Sequence, residues 1–175
     1  MKRITGRRLW ALILLTAATS GLHASIEKPV EREQLRVVGV GQLTWWGMTV
    51  YDAALLAPGG TYNAAYPHAI EITYRFGFSQ EQLAQKSLEE MERIHGGMAD
   101  RAAKLEVLTG VFRDVDKGDQ ILGIHYPGQG AEFYSDDRPL GRIEDAALAA
   151  AFFSIWLDPA TREPGLRAQM LGFRQ

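Results

Sequence analysis

No cysteine occurs anywhere in the sequence. That absence excludes structural disulfides, thiol catalysis, cysteine-ligated zinc and a lipoprotein anchor. Histidine is scarce too, with four in 175 residues, and His68, His95 and His125 have no partner at a ligand spacing such as i, i+4. Each reads as a loop or strand-surface residue, so no metal site and no cofactor are expected. Gly39 and Gly41 lack the third glycine of a dinucleotide loop, because Thr44 stands at its place. The pair reads instead as a bend or bulge in a strand. A calcium loop starting at Asp114 fails at two places: Asp119 holds the sixth position and His125 the twelfth. What remains there is a polar turn before a strand.

Positive charge is also in short supply once the N-terminus is set aside. Lys2, Arg3, Arg7 and Arg8 precede an apolar run from Leu9 to Ala18, and small residues follow around Ser20, Gly21 and Ala24. This is the layout of a secretory signal over residues 1–24, with cleavage expected between Ser20 and Ser25. The paired Arg7 and Arg8 read as the positive end of that leader rather than as a twin-arginine signal. The leader holds four basic and no acidic residues, which leaves 15 basic against 21 acidic, a formal charge of −6. Nucleic acid and anionic membrane surfaces, both of which reward a basic patch, are therefore not expected partners. Export without disulfides fits a bacterial periplasm. The expected organisation is a leader over 1–24, a mobile lead-in over 25–34 and one domain over 35–175.

The most informative stretch is Ala146 to Leu157, AALAAAFFSIWL, apolar on every side except at Ser154. A helix of this composition has no solvent face and belongs inside the protein. Twelve residues reach roughly 18 Å, short of the roughly 30 Å of a bilayer's hydrocarbon layer, so it is a core helix and not a membrane span. Ser154 lacks the glycine-framed elbow of a hydrolase nucleophile. It reads either as a buried serine bonded back to a main-chain carbonyl or as a polar group facing a ligand cavity. Trp45, Trp46 and Trp156 read as core residues, with the lining of an apolar pocket as the alternative.

The remaining elements follow from period and punctuation. LRVVGVG, LTWWGMTV and YDAALLAP are β-rich runs broken by glycine. Ile70, Ile72 and Tyr74 alternate with Glu71, Thr73 and Arg75 in a further strand from Ala69 to Phe76. Ser79 and Gln82 form a capping box for a helix that Gly96 ends, with Phe78 stapling onto Leu83. Leu83, Leu88, Met91 and Ile94 are its apolar stripe. A second helix spans Ala99 to Phe112. Strands follow at Gln120 to Tyr126, Ala131 to Tyr134 and Leu140 to Ile143, and a short helix at Leu166 to Leu171 closes the chain.

The stretch GVGQLTWWGMTVYDAALL, the strand and helix from Ala69 to Ile94, the Gly118-Asp119 and Tyr126-Pro-Gly turns, and AFFSIWLDPATREPGLR resemble bacterial chalcone isomerase-like proteins. The resemblance implies an α+β fold, an open-faced β-sandwich in which a large antiparallel sheet packs on a layer of helices, with a ligand cleft between them. Plant relatives either cyclise chalcones or bind fatty acids. The arginine that holds the anionic oxygen in the enzymes falls on Leu43, the cleft tyrosine on Leu83, the cleft lysine on Lys86 and the asparagine after it on Glu90. The strand threonine falls on Tyr51 and the small hydroxyl residue of the late helix on Ser154. With leucine at two donor positions, each worth on the order of 10²–10³ in rate, chalcone isomerase activity is not expected. The resemblance thus implies a non-catalytic protein that binds an apolar or fatty-acid-like molecule, and the leader adds export. An isomerase or intramolecular lyase using Tyr51, Lys86 and Ser154 is one alternative, and an accessory protein docking on a partner is another.

Overall fold

The computed structural model describes residues 32–173. The leader, its cleavage window and residues 25–31 lie outside the described residues. Those described form strands β1 (Leu35–Trp45), β2 (Met48–Pro58) and β3 (His68–Tyr74), then helices α1 (Gln80–His95) and α2 (Arg101–Gly110). Strands β4 (Gln120–Tyr126), β5 (Gly130–Ser135) and β6 (Arg138–Ile143) follow, and helices α3 (Ala146–Leu157) and α4 (Pro164–Met170) end the chain. The six strands form one antiparallel sheet in the order β1-β2-β3-β4-β5-β6. Helix α3 lies against β4, β5 and β6, α4 lies against β1 and β2, and α1 packs on α2 and α3. This is the α+β arrangement expected from the sequence, a large antiparallel sheet under a layer of helices.

Alternation along the strands divides the apolar residues between two faces. Ala53, Leu55, Ile70, Ile72, Tyr74, Ile121 and Phe133 point to the helices and meet Leu88, Met91, Leu148, Phe152 and Phe153 in the main core. Each large side chain removed from water there contributes roughly 1.5–3 kcal/mol. Leu35, Ala69, Ile124 and Tyr126 form a smaller cluster on the opposite face. The capping box of α1 is present: Gln82 N–H donates to Ser79 Oγ at 3.3 Å, and Ser79 N–H donates to Gln82 Oε1 at 2.9 Å. Asp145 caps α3, accepting from the backbone of Ala147 at 2.8 Å and of Leu148 at 3.1 Å.

Gly39 and Gly41 earn their place by proximity. The β1–β2 register shifts between Val37 and Gly39, the bulge expected there. A Cβ at Gly39 would strike the carbonyl oxygens of Gln169 and Met170, and one at Gly41 would meet Leu166 Cδ1 at 2.7 Å. The bare backbone lets α4 lie directly on β1.

Several expectations need correction. The three β-rich runs are two long strands, joined by a turn in which Trp46 and Gly47 both have positive φ. That turn matches the twist of paired strands, but Trp-Gly lacks the usual Asn or Asp that marks it in sequence. Trp46 is 86% exposed and Trp45 68%, so neither belongs to the core. Helix α3 has a solvent side after all, because Ala147 and Ala150 are exposed. The end of the lead-in is tied down: Arg32–Gln34 make a 3₁₀ turn, with the Arg32 guanidinium 3.9 Å above the Tyr134 ring and 2.7 Å from Asp137.

His68 and His125 are not surface residues but buried neighbours, directly opposite each other on β3 and β4. The period-2 pattern of β3 places His68 on the same inward face as Ile70, and β4 does the same for His125 with Ile121.

Candidate functional site

Between the sheet and helices α1 and α3 lies a cleft of about 790 Å³. Its interior is apolar, with Ile70, Ile72, Phe133, Phe152 and Phe153 among the lining residues. These side chains come from the inward faces of β3 and β5 and from α3. Gly123 keeps space open beneath them, since a Cβ there would meet Phe133 Cε1 at 3.1 Å and Phe153 Cζ at 3.3 Å. A volume of this size is in the range of small-molecule sites.

Five of the six residues singled out from the sequence line this cleft: Leu43, Tyr51, Leu83, Lys86 and Glu90. Leu43 of β1 stands directly opposite Tyr51 of β2 in the register. Leu83, Lys86 and Glu90, spaced three and four apart, share one face of α1. Ser154 does not line the cleft. Its hydroxyl lies 2.6 Å from the Ala151 carbonyl, to which it donates, and 2.7 Å from His95 Nε2. With that proton given to the carbonyl, the imidazole is the donor, the reverse of what activating a nucleophile requires. The back-bonded reading of Ser154 therefore holds, and the cavity-facing one does not.

The polar groups inside are neutral. Trp156 Nε1–H donates to the Tyr51 hydroxyl at 3.0 Å, which leaves the Tyr51 proton without a protein acceptor among the described residues. Burial pushes this hydroxyl up to about 12 against the help of Trp156, so it stays protonated at any ordinary pH. Tyr74, edge-on to Tyr51 with centroids 6.5 Å apart, is pushed up by burial as well. Both rings line the cleft.

The charged residues of the lining are Lys86, Glu89, Glu90, Arg162 and Glu163, and both cations among them are paired with Glu90. Glu90 is only 8% exposed and draws in three cations: Lys86 Nζ at 3.0 Å, Arg93 Nε at 2.8 Å and Arg162 Nε at 3.2 Å. Burial alone would raise its carboxyl, but hydrogen bonds from Arg93 and Lys86 and the nearby Arg162 charge outweigh that and hold it below the usual glutamate value. Glu89 lies 3.7 Å from Lys86, and Glu163 also lines the cleft. Lys86 is therefore an ion-paired rim residue and not a free charged group.

The two buried histidines sit behind Phe153. Nδ1 of His68 lies 2.9 Å from the Tyr66 carbonyl, which only accepts, so that nitrogen carries the proton. Nε2 of His68 then accepts from His125 Nδ1 at 3.3 Å, and His125 Nε2 is left buried with no partner. The His125 ring stacks on Phe153 at 4.9 Å. Burial lowers both imidazoles, and His125, with His68 beside it, falls to about 4. No group of three or more metal-ligating side chains occurs among the described residues.

Tyr74, Phe153, Arg162 and Glu163 line the cleft without having been singled out from the sequence. The inward period of β3 carried the information for Tyr74. Arg162 and Glu163 follow Pro159 in a segment between helices, where no periodicity marks a facing side.

Comparison with known proteins places this geometry. A solved structure of a fatty-acid-binding protein from Arabidopsis thaliana superposes with a TM-score of 0.61 at 13% identity, covering 79% of this chain and 87% of that one. This likeness shows the shared fold. Among curated protein sequences no match is found. The profile of a family described as chalcone isomerase-like matches residues 17–172, and the chain belongs to the chalcone isomerase-like family.

Proposed function

We propose that this is an exported, non-catalytic binding protein whose cleft holds an apolar molecule bearing a neutral hydrogen-bond acceptor, such as an ester or ketone oxygen. The observation that carries the reading is the contrast between the interior and the rim. Inside stand aromatic and aliphatic walls with the unspent Tyr51 hydroxyl proton. The cations nearest the cleft are already drawn to Glu90. A buried carboxylate would face Leu43 and Leu83 with no positive partner, at a desolvation cost of several kcal/mol. A neutral oxygen accepting from Tyr51 carries no such cost. The fatty-acid-binding neighbour supports an apolar ligand, and the pairing of the lining cations with Glu90 favours a neutral one. Export rests on the basic leader with its apolar run.

The candidate catalytic groups do not converge, since Ser154 faces His95 while Lys86 is bound to Glu90. The test is a calorimetric titration comparing methyl laurate with laurate at pH 8. The ester is expected to bind at least about tenfold more tightly, the equivalent of about 1.4 kcal/mol. Tighter binding of the carboxylate, lost in Arg162→Gln, would instead place an acidic head at the rim.

A further inference from the structure

Among the described residues, the turn between β1 and β2 carries the most exposed large apolar side chains. Trp46 is 86% exposed, Trp45 68% and Met48 55%. Phe76, 45% exposed, lies at the same end of the sheet, next to Arg75, whose N–H donates to the Val50 carbonyl at 2.9 Å. Nine consecutive residues, Leu43 to Tyr51, carry no charge. Nearest to them, Asp52 is matched by its ion pair with Arg75. Trp46 is held at the apex with φ of 51°, a conformation that a bulky residue seldom adopts.

We infer that this hairpin tip is a membrane-docking element that inserts Trp46 and Met48 into the interface of a zwitterionic phospholipid bilayer, presenting the cleft mouth to the lipid. Three observations select that occupant. The first is continuity: Thr44 and Trp45 belong both to the tip and to the lining of the cleft, and Trp45 is 68% exposed, so whatever covers the tip also borders the cleft. On the reading that the cleft takes a neutral apolar molecule, a bilayer is the reservoir such a ligand comes from. The second is charge. An uncharged tip on a chain of net negative charge fits a zwitterionic surface and is disfavoured on an anionic one. The third is shape and size. Trp45, Trp46 and Met48 at the turn and Phe76 beside it, at roughly 150 Å² each, offer at most about 600 Å², short of the about 800 Å² per partner of a stable protein interface. Tryptophan, apolar in body and polar at its N–H, is the residue that settles at a membrane interface.

The experiment is co-sedimentation of the purified protein with phosphatidylcholine vesicles, with the tryptophan emission read in parallel. The wild type is expected to pellet with vesicles and shift its emission to shorter wavelength. Trp46→Ser/Met48→Ser, neither of which lines the cleft, is expected to lose at least about tenfold in vesicle affinity while its methyl laurate binding in vesicle-free buffer is unchanged. Val107→Ser, an exposed apolar residue on α2, is the control and should behave as wild type. Vesicle binding equal in the double variant and the wild type overturns the proposal. So does a wild type that ignores vesicles but self-associates in ultracentrifugation through the same residues. Vesicle binding without methyl laurate binding leaves the docking tip standing and removes the ligand reading. The converse removes the tip alone.

Discussion

Phe153→Ala is expected to cost about 3–5 kcal/mol of folding stability, the range for deleting a fully buried phenylalanine. The ring is 2% exposed and stands where three groups meet. It stacks on His125 at 4.9 Å, meets His68 edge-on at 5.7 Å and Phe152 at 5.5 Å. Its loss leaves a void that the sheet cannot fill, because β3 and β4 are pinned by their ladder on both sides. It also bares His125 Nε2, a buried nitrogen with no hydrogen-bond partner among the described residues. Urea unfolding of the variant should show the midpoint lowered with its slope unchanged. A loss below about 1 kcal/mol would mean that the ring is not part of the continuous core described above.

Acid should weaken the fold well before its carboxylates titrate. An unfolded histidine takes up a proton near pH 6.5, whereas folded His125 resists until about 4. Below pH 6.5 the unfolded chain therefore binds more protons than the native one, and stability falls as the pH falls. The contribution is fully present above pH 6.5 and is lost progressively down to about pH 4. Over that window His125 alone accounts for about 3 kcal/mol, with His68 shifted in the same direction. Urea midpoints measured from pH 7 to 4.5 should fall steeply in the wild type and less steeply in His125→Phe. Parallel curves would contradict the buried, neutral pair.

These two effects concern residues that the sequence presented in opposite ways. Phe153 was visible as part of a run too apolar to face water. His68 and His125 were not legible as a pair, because they are 57 residues apart and meet only through the β3–β4 register. Local rules worked where the physics is local. Ser79 and Gln82 announced a helix start because a capping box is complete within four residues, and Ile70, Ile72 and Tyr74 announced an inward face by alternation. The β1–β2 turn stayed hidden because Trp-Gly carries none of the usual hairpin chemistry, and with it the exposure of Trp45 and Trp46.

The cleft shows the same division. Leu83, Lys86 and Glu90 share a face through the helix period, which is readable in sequence, whereas Leu43 meets Tyr51 through the β1–β2 register, which is not. What those residues do once together is not readable either. Glu90 looked like a replaced asparagine, yet in the fold it is the hub that binds Lys86, Arg93 and Arg162. Arg162 comes from a segment 72 residues further along the chain. The neutrality of the interior is a property of that three-dimensional pairing and follows from no single motif.

The most direct measurement is native mass spectrometry of the protein after gentle extraction, alongside Leu83→Trp, which puts an indole into the cleft from α1. The wild type should carry an apolar, uncharged molecule, and the variant should emerge with the mass of the bare chain. A wild type of bare mass that gains no thermal stability from any apolar ester or ketone would contradict the assignment of the cleft as a ligand site.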